Sequence, residues 1–322
     1  MATEIVKIID PDGTGDYTSL AAWESAMQKD LVTADEISVA KCRCTGGSAN
    51  TGQVVIDGWT TDATRYIKIW TDPSEGYRHL GKWTTGNYFR VEFSSAGSGT
   101  SAIDLREEYV RVHGIQIKQT TTAAVNQYAL ITRVTAGGSY YQLADCILWG
   151  VQTAGTLYGI NANDTDITSM DIWNCVAYGF NGAGYLGYRT NIYNSTFYNC
   201  GGQGIRDLGN ECVVKNCAVF NNADDFYGTF SLISNCASDD GDGTNPVTPS
   251  NWNTVFTDAA NGDFHLLSTG TELIGAGLND PGSGLYSNDI DGVARTTTWD
   301  IGADEYVAVG GGGKPYYAYA QQ

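Results

Sequence analysis

Along the chain, apolar and polar positions fall into one recurring phrase between about residues 112 and 238: an aliphatic residue, a variable residue, Asn or a substitute for it, then a small or aliphatic residue. Its instances are Val112-His113-Gly114-Ile115, Leu143-Ala144-Asp145-Cys146, Ile172-Trp173-Asn174-Cys175, Ile192-Tyr193-Asn194-Ser195, Val214-Lys215-Asn216-Cys217 and Ile233-Ser234-Asn235-Cys236. Successive fourth positions advance by 31, 29, 20, 22 and 19 residues. Helical solenoid repeats are longer, about 33–47 residues, and lack this strand-like alternation. The steps therefore predict one coil of a parallel β-helix per repeat, with looped-out insertions in the longer ones.

Side chains alternate between the two faces of a strand. Val112, Leu143, Ile172, Ile192, Val214 and Ile233 are thus expected in one inner stack. His113, Ala144, Trp173, Tyr193, Lys215 and Ser234 are expected in an outer column. Asn or Gly suits the corner that follows, because both tolerate left-handed backbone. Stacked Asn side chains can also hydrogen-bond along the ladder. Strand-like runs outside the clear repeat occur at 54–56, 66–70 and 88–93, separated by Gly and Ser/Thr clusters.

An open coil exposes its core and must be covered. Ser19 is placed to cap a helix with Leu20, Trp23 and Met27 on one face, a lid for the first coil. Periodicity weakens after Asp240, and the run from Asp289 to Tyr306 reads as a closing element. The expected organisation is an N-terminal strand and capping helix (1–37), a β-helix body (38–240), C-terminal coils with the closing element (241–309), and a Gly-rich linker with a Tyr-rich tail (310–322). The fold class is all-β, a right-handed parallel β-helix with a short N-terminal capping helix.

Three phrases carry a resemblance. Asp12-Gly13-Thr14-Gly15-Asp16-Tyr17-Thr18-Ser19-Leu20 resembles the opening motif of pectate-lyase-like right-handed β-helix proteins. The Asn-Cys phrases resemble their parallel β-helix repeats, and Asp300-Ile301-Gly302-Ala303-Asp304-Glu305 is similar to the closing motif of many bacterial, phage and environmental members. The resemblance spans most of residues 8–306. It implies the fold; the family holds lyases, hydrolases, esterases, tail-spike depolymerases and structural proteins, so it does not choose an activity.

Composition narrows the partners. The formal net charge of −18 opposes nucleic acid, and it disfavours polyuronates and anionic lipids unless cations bridge them. No run approaches the ~20 apolar residues of a membrane helix. The opening residues lack a basic region followed by an apolar stretch, so the chain is expected to be kept in a cytoplasm, to be released by lysis, or to be seen here without its leader. Of the eight cysteines, Cys146, Cys175, Cys217 and Cys236 occupy the small inner position and are expected as reduced, packed thiols. Cys200 and Cys212 are left open as a pair. Cys42 and Cys44 lack a second ligand pair, which argues against zinc there.

No catalytic set is assigned. Asp224-Asp225 and Asp239-Asp240 are paired carboxylates, but none of His79, His113 and His265 lies beside them in sequence. Arg206-Asp207 reads as an ion pair or a corner contact. Asp240 and Asp242 faintly resemble a calcium loop without its final ligand, so no cofactor is expected. Trp173 and Tyr193, with Tyr178 and Tyr198 one strand later, form an outward aromatic column suited to stacking on sugar or on a partner, or to shielding the sheet. Tyr316, Tyr317 and Tyr319 are candidate anchors of a docking tail. Together these features favour a non-enzymatic virion protein: a capsid-decoration, spike or fibre subunit, made in a host cytoplasm and joined to a virion protein or to itself through the tail. A polysaccharide-acting enzyme is the alternative, and a secreted glycan-binding or adhesive protein the second. Surface polysaccharide is then the candidate ligand.

Overall fold

A computed structural model describes residues 2–134 and 137–308. Successive turns of the chain lay strands in three parallel sheets, of nine, six and seven strands. The coil formed by Tyr109–His113, Gln116–Thr121 and Asn126–Thr132 is representative; Ser139–Ala144 then returns to the first sheet, one strand further along. The protein is a right-handed parallel β-helix.

The repeat phrase sets the register. Val112 pairs with Leu143, Leu143 with Ile172, Ile172 with Ile192, Ile192 with Val214 and Val214 with Ile233. Ile69 and Ala40 extend the stack toward the N-terminal end. All are buried except Ile233, which is half-buried on the last coil. The corner residues Gly114, Asp145, Asn174, Asn194, Asn216 and Asn235 all have positive φ, from 40° to 72°. L-residues other than Asn and Asp rarely accept this backbone, which explains the choice at each corner.

The four inner cysteines face the core, and all eight cysteines are buried free thiols. Cys200 and Cys212 are therefore not paired, and burial pushes each thiol up to about 12. At the N-terminal end, helix α1 (Leu20–Met27) is capped by Ser19, whose Oγ accepts from the Ala22 N–H at 3.1 Å. Leu20 and Trp23 are buried, and Trp23 packs on Trp59 with ring centroids 5.8 Å apart.

The C-terminal region departs from the expected further coils. Ser234 still bridges Thr244 and Ala237 still bridges Val247 in a last partial coil. Beyond that the chain turns back along the outside of the stack. A short antiparallel hairpin, Phe256–Asp258 with Asp263–Leu266, leads into irregular chain up to Tyr306. This cover buries Phe256, Phe264, Leu273 and Ile301 against Tyr178, Ala218 and Phe220 on the outer face of the six-stranded sheet. Leu285 and Tyr286 pack on Trp173 and Tyr193 of the nine-stranded sheet. The aperiodic sequence follows from this: the segment matches an existing surface and has no coil geometry to repeat.

Two outcomes test the fold. Ile192→Ala should cost about 2–5 kcal/mol in urea unfolding, because it empties a position stacked on both sides. A thiol reagent should find essentially none of the eight cysteines in the native protein and all eight in denaturant. Prompt native reaction would contradict the packing.

Candidate functional site

In most coils two residues turn the corner between the nine- and six-stranded sheets. After Ile67–Trp70 the corner is replaced by residues 71–89, which project beside the corner column. The C-terminal cover reaches the same column from the other side. Between them lies a cleft of about 460 Å³, within the size range of small-ligand sites. Its lining includes Arg78, His79 and Tyr88 from the insertion, His113, Asp145 and Trp173 from the coils, and Tyr286, Asp289 and Asp291 from the cover.

The corner residues hold these parts together. Asp145 Oδ2 pairs with Arg78 Nη2 at 2.7 Å. The Gly81 N–H donates to His79 Nδ1 at 3.3 Å, so His79 carries its proton on Nε2 and donates it to the Asp145 carbonyl, at 2.7 Å. Burial, reinforced by Arg78, lowers the His79 pKa to about 3, so the ring is neutral. Asn174 Nδ2 donates to the Asn288 carbonyl at 2.8 Å, and Asn174 Oδ1 accepts from Arg295 Nη2 at 2.9 Å. Asn194 accepts from the Tyr286 hydroxyl and donates to the Asp300 carbonyl, both at 2.8 Å. Asn216 closes two bonds with the Leu278 backbone, each 2.8 Å. The expected ladder exists as well: Asn174 donates to Asp145 at 3.0 Å and Asn216 to Asn194 at 3.2 Å.

One wall of the cleft is aromatic. Trp173 and Tyr286 stack at 5.9 Å and 12°, and His113 meets Trp173 edge-on. The carboxyl groups of Asp289 and Asp291 also line the cleft. Asp289 accepts from the Val293 N–H at 2.7 Å and the Glu305 N–H at 2.9 Å. Burial and the neighbouring Asp291 raise its pKa well above the usual carboxylate range. Arg295 lies behind, against Glu305 at 3.3 Å. With His79 and His113 neutral and Arg78 paired, the lining offers apolar rings beside polar donors and acceptors and carries no surplus positive charge. That chemistry suits a neutral, hydroxyl-bearing ligand better than an anion.

The cover corrects the outward aromatic column. Trp173, Tyr178 and Tyr193 do point away from the coil, but they are only 6%, 7% and 9% exposed. Tyr198 is half-buried and, like Tyr178, meets the edge of Phe264. Only the Trp173 edge of this column reaches the cleft. Tyr316, Tyr317 and Tyr319 lie outside the described residues. Asp240 and Asp242 sit in a loop, exposed and half-exposed, and partial burial, followed by a hydrogen bond shared with Asp240, raises Asp242 to about 6. Arg206 and Asp207 are not partners. Arg206 lies over the Tyr227 ring, and buried Asp207 accepts from the Gly209, Glu211 and Cys212 N–H groups. Asp225 accepts from the Asp239 N–H, so the two acidic pairs meet through backbone and brace the last coil.

Arg78, Tyr88, Tyr286, Asp289 and Asp291 were not singled out as site residues. The available signal was the long interruption after Trp70, since insertions in a solenoid gather on one face and often form its binding surface. The fold and cleft define a parallel β-helix whose flank is closed by its own C-terminal segment. No family model matches the chain, and no curated protein matches it.

Two measurements probe this region. Asn216→Ala removes two cover contacts and leaves alanine in a left-handed backbone that its Cβ disfavours, so a loss of about 1–3 kcal/mol is expected, with faster proteolysis within 249–308. For His113, burial and then Lys68 lower the pKa to about 3. The unfolded chain takes up a proton near its usual value of about 6.5, and the native state does not. Stability from this group is therefore present above about pH 6.5 and is lost as pH falls toward 3. The wild-type advantage over His113→Gln should shrink by about 1–2 kcal/mol between pH 7 and 5 in urea titrations. A pH-independent gap would refute this.

Proposed function

We propose that the chain is a structural β-helix subunit of a phage particle, a decoration, spike or fibre protein whose task is mechanical. The observation that carries the reading is the cover. The outward aromatic column, the candidate sugar-binding track, is buried by the chain's own C-terminal segment, and the result is a solenoid with a capped end and a covered flank. Such a body suits a rigid displayed element, because its backbone bonds run in parallel ladders along one axis. The strongly acidic composition is consistent with particles that repel one another. Kinship with pectate-lyase-like β-helix proteins is part of this proposal, as is attachment through residues 310–322 to a virion protein or to a second copy.

Deleting residues 310–322 should leave the melting curve of the body unchanged and abolish incorporation into particles, scored by mass spectrometry of banded particles. Equal incorporation of the truncated chain would remove the docking role, and absence of the full chain from intact particles would remove the reading altogether.

The cleft supports a second reading, in which the same body recognises or acts on a surface polysaccharide. Tyr88 and Trp173 would then meet the sugar, with Arg78 and Asp291 as polar contacts. Under this reading, binding on a glycan array should be weakened by Tyr88→Ala, and release of reducing ends would mark an enzyme. A flat array with no sugar release would leave only the structural role.

A further inference from the structure

Three segments of the cover converge behind the cleft. The hairpin strand Asp263–Leu266 supplies His265, the turn after Ile290 supplies Asp291, and the closing phrase supplies Asp304. One potential ligand atom from each, an imidazole nitrogen and two carboxylate oxygens, lies within 4.8 Å of the others. We propose that His265, Asp291 and Asp304 bind one divalent transition-metal ion, best matched by zinc, which staples the cover together beside the cleft.

The donor set is that of a three-ligand zinc site, with imidazole and carboxylate at about 2.0–2.2 Å from the ion and water as the fourth ligand. His265 Nε2 stands 3.5 Å from Asp291 Oδ2, so modest side-chain shifts bring both onto one ion. The imidazole is oriented from behind. His265 Nδ1 is hydrogen-bonded to Asp263 Oδ1, and the other Asp263 oxygen pairs with Lys82 Nζ at 2.9 Å. A carboxylate on the far ring nitrogen is the usual support of a metal-binding histidine, since it directs Nε2 at the ion. Asp304 is held similarly, with Oδ2 accepting from the Leu266 N–H at 2.7 Å.

The surroundings fit a cation. Asp263 and Asp304 are buried at this group, with Asp263 shared between Lys82 and the His265 ring. Carboxylates gathered in a buried place are costly unless protons or positive groups join them. Gly81, at φ +73°, passes directly over the imidazole, where a Cβ would stand 2.6 Å from Nε2. Any larger residue at this position would press on the ligand atom. Asp291 lines the cleft with its side chain only 4% exposed, so the group is reached from the cleft side.

The test uses the full chain, stripped with a chelator and titrated calorimetrically near neutral pH with zinc chloride, and separately with manganese and calcium chloride. One zinc per chain is expected, bound more tightly than manganese or calcium, with a rise in melting temperature. Asp291→Asn, at the ligand that lines the cleft, should weaken zinc at least about tenfold, and Asp240→Asn in the other acidic loop should not. Cobalt added to the wild type should give the visible absorption of a four-coordinate site. Absence of stoichiometric zinc binding and of that cobalt spectrum in the wild type would show an Asp–His–Asp ion-pair network instead and overturn the proposal. So would undiminished affinity in a folded Asp291→Asn. Neither result bears on particle incorporation, so this inference and the structural reading fail separately.

Discussion

The corner between the nine- and six-stranded sheets must turn in two residues, and that forces a left-handed backbone at the first of them. Asparagine accepts this conformation, and its short amide has both a donor and an acceptor to spend. In this protein the amide is spent outward. Asn174, Asn194, Asn216 and Asn235 each bond backbone of the C-terminal cover, as well as sharing parts of a ladder along the stack. The residue that makes the coil repeat is thus also the residue that receives the aperiodic part of the chain.

The remaining architecture follows from that seam. Irregular chain can lie on a sheet only if its backbone polar groups find partners, and the corner amides provide them at regular intervals. On either side of the seam the cover finds apolar columns, Tyr178 with Phe220 on one sheet and Trp173 with Tyr193 on the other. The cleft forms where the seam is interrupted. There the 71–89 insertion stands in place of a tight corner, and the Arg78–Asp145 pair and the neutral His79 tie it to a corner two coils further along.

Charge is distributed unevenly across this arrangement. The inner core is apolar or thiol-lined, whereas the cover carries several buried carboxylates around one buried arginine. A solenoid built to be stiff does not need such a centre for its coils, since those are held by stacking. The cover has little regular secondary structure, so polar and ionic contacts between its segments must do what ladders do elsewhere. A metal ion at His265, Asp291 and Asp304 would serve the same end. The cleft is lined by side chains from the stacked coils, from the 71–89 insertion and from the cover packed beside them.

The sequence by itself determined the coil: the inner stack from Val112 to Ile233, the left-handed corners, the α1 lid and the buried thiols. Each depends on neighbours one repeat away, and periodicity records such neighbours directly. It also placed Trp173 and Tyr193 on the outside of the coil, correctly. What it did not contain was that outside the coil is inside the protein. The partners of Trp173, Tyr178 and Asn216 lie far along the chain in a segment without a repeat, and that segment's position is decided by shape and hydrogen-bond complementarity to a surface that exists only after the coils have stacked. The cleft, the buried aromatic column and the meeting of His265 with Asp291 and Asp304 were therefore decisions of the tertiary structure alone.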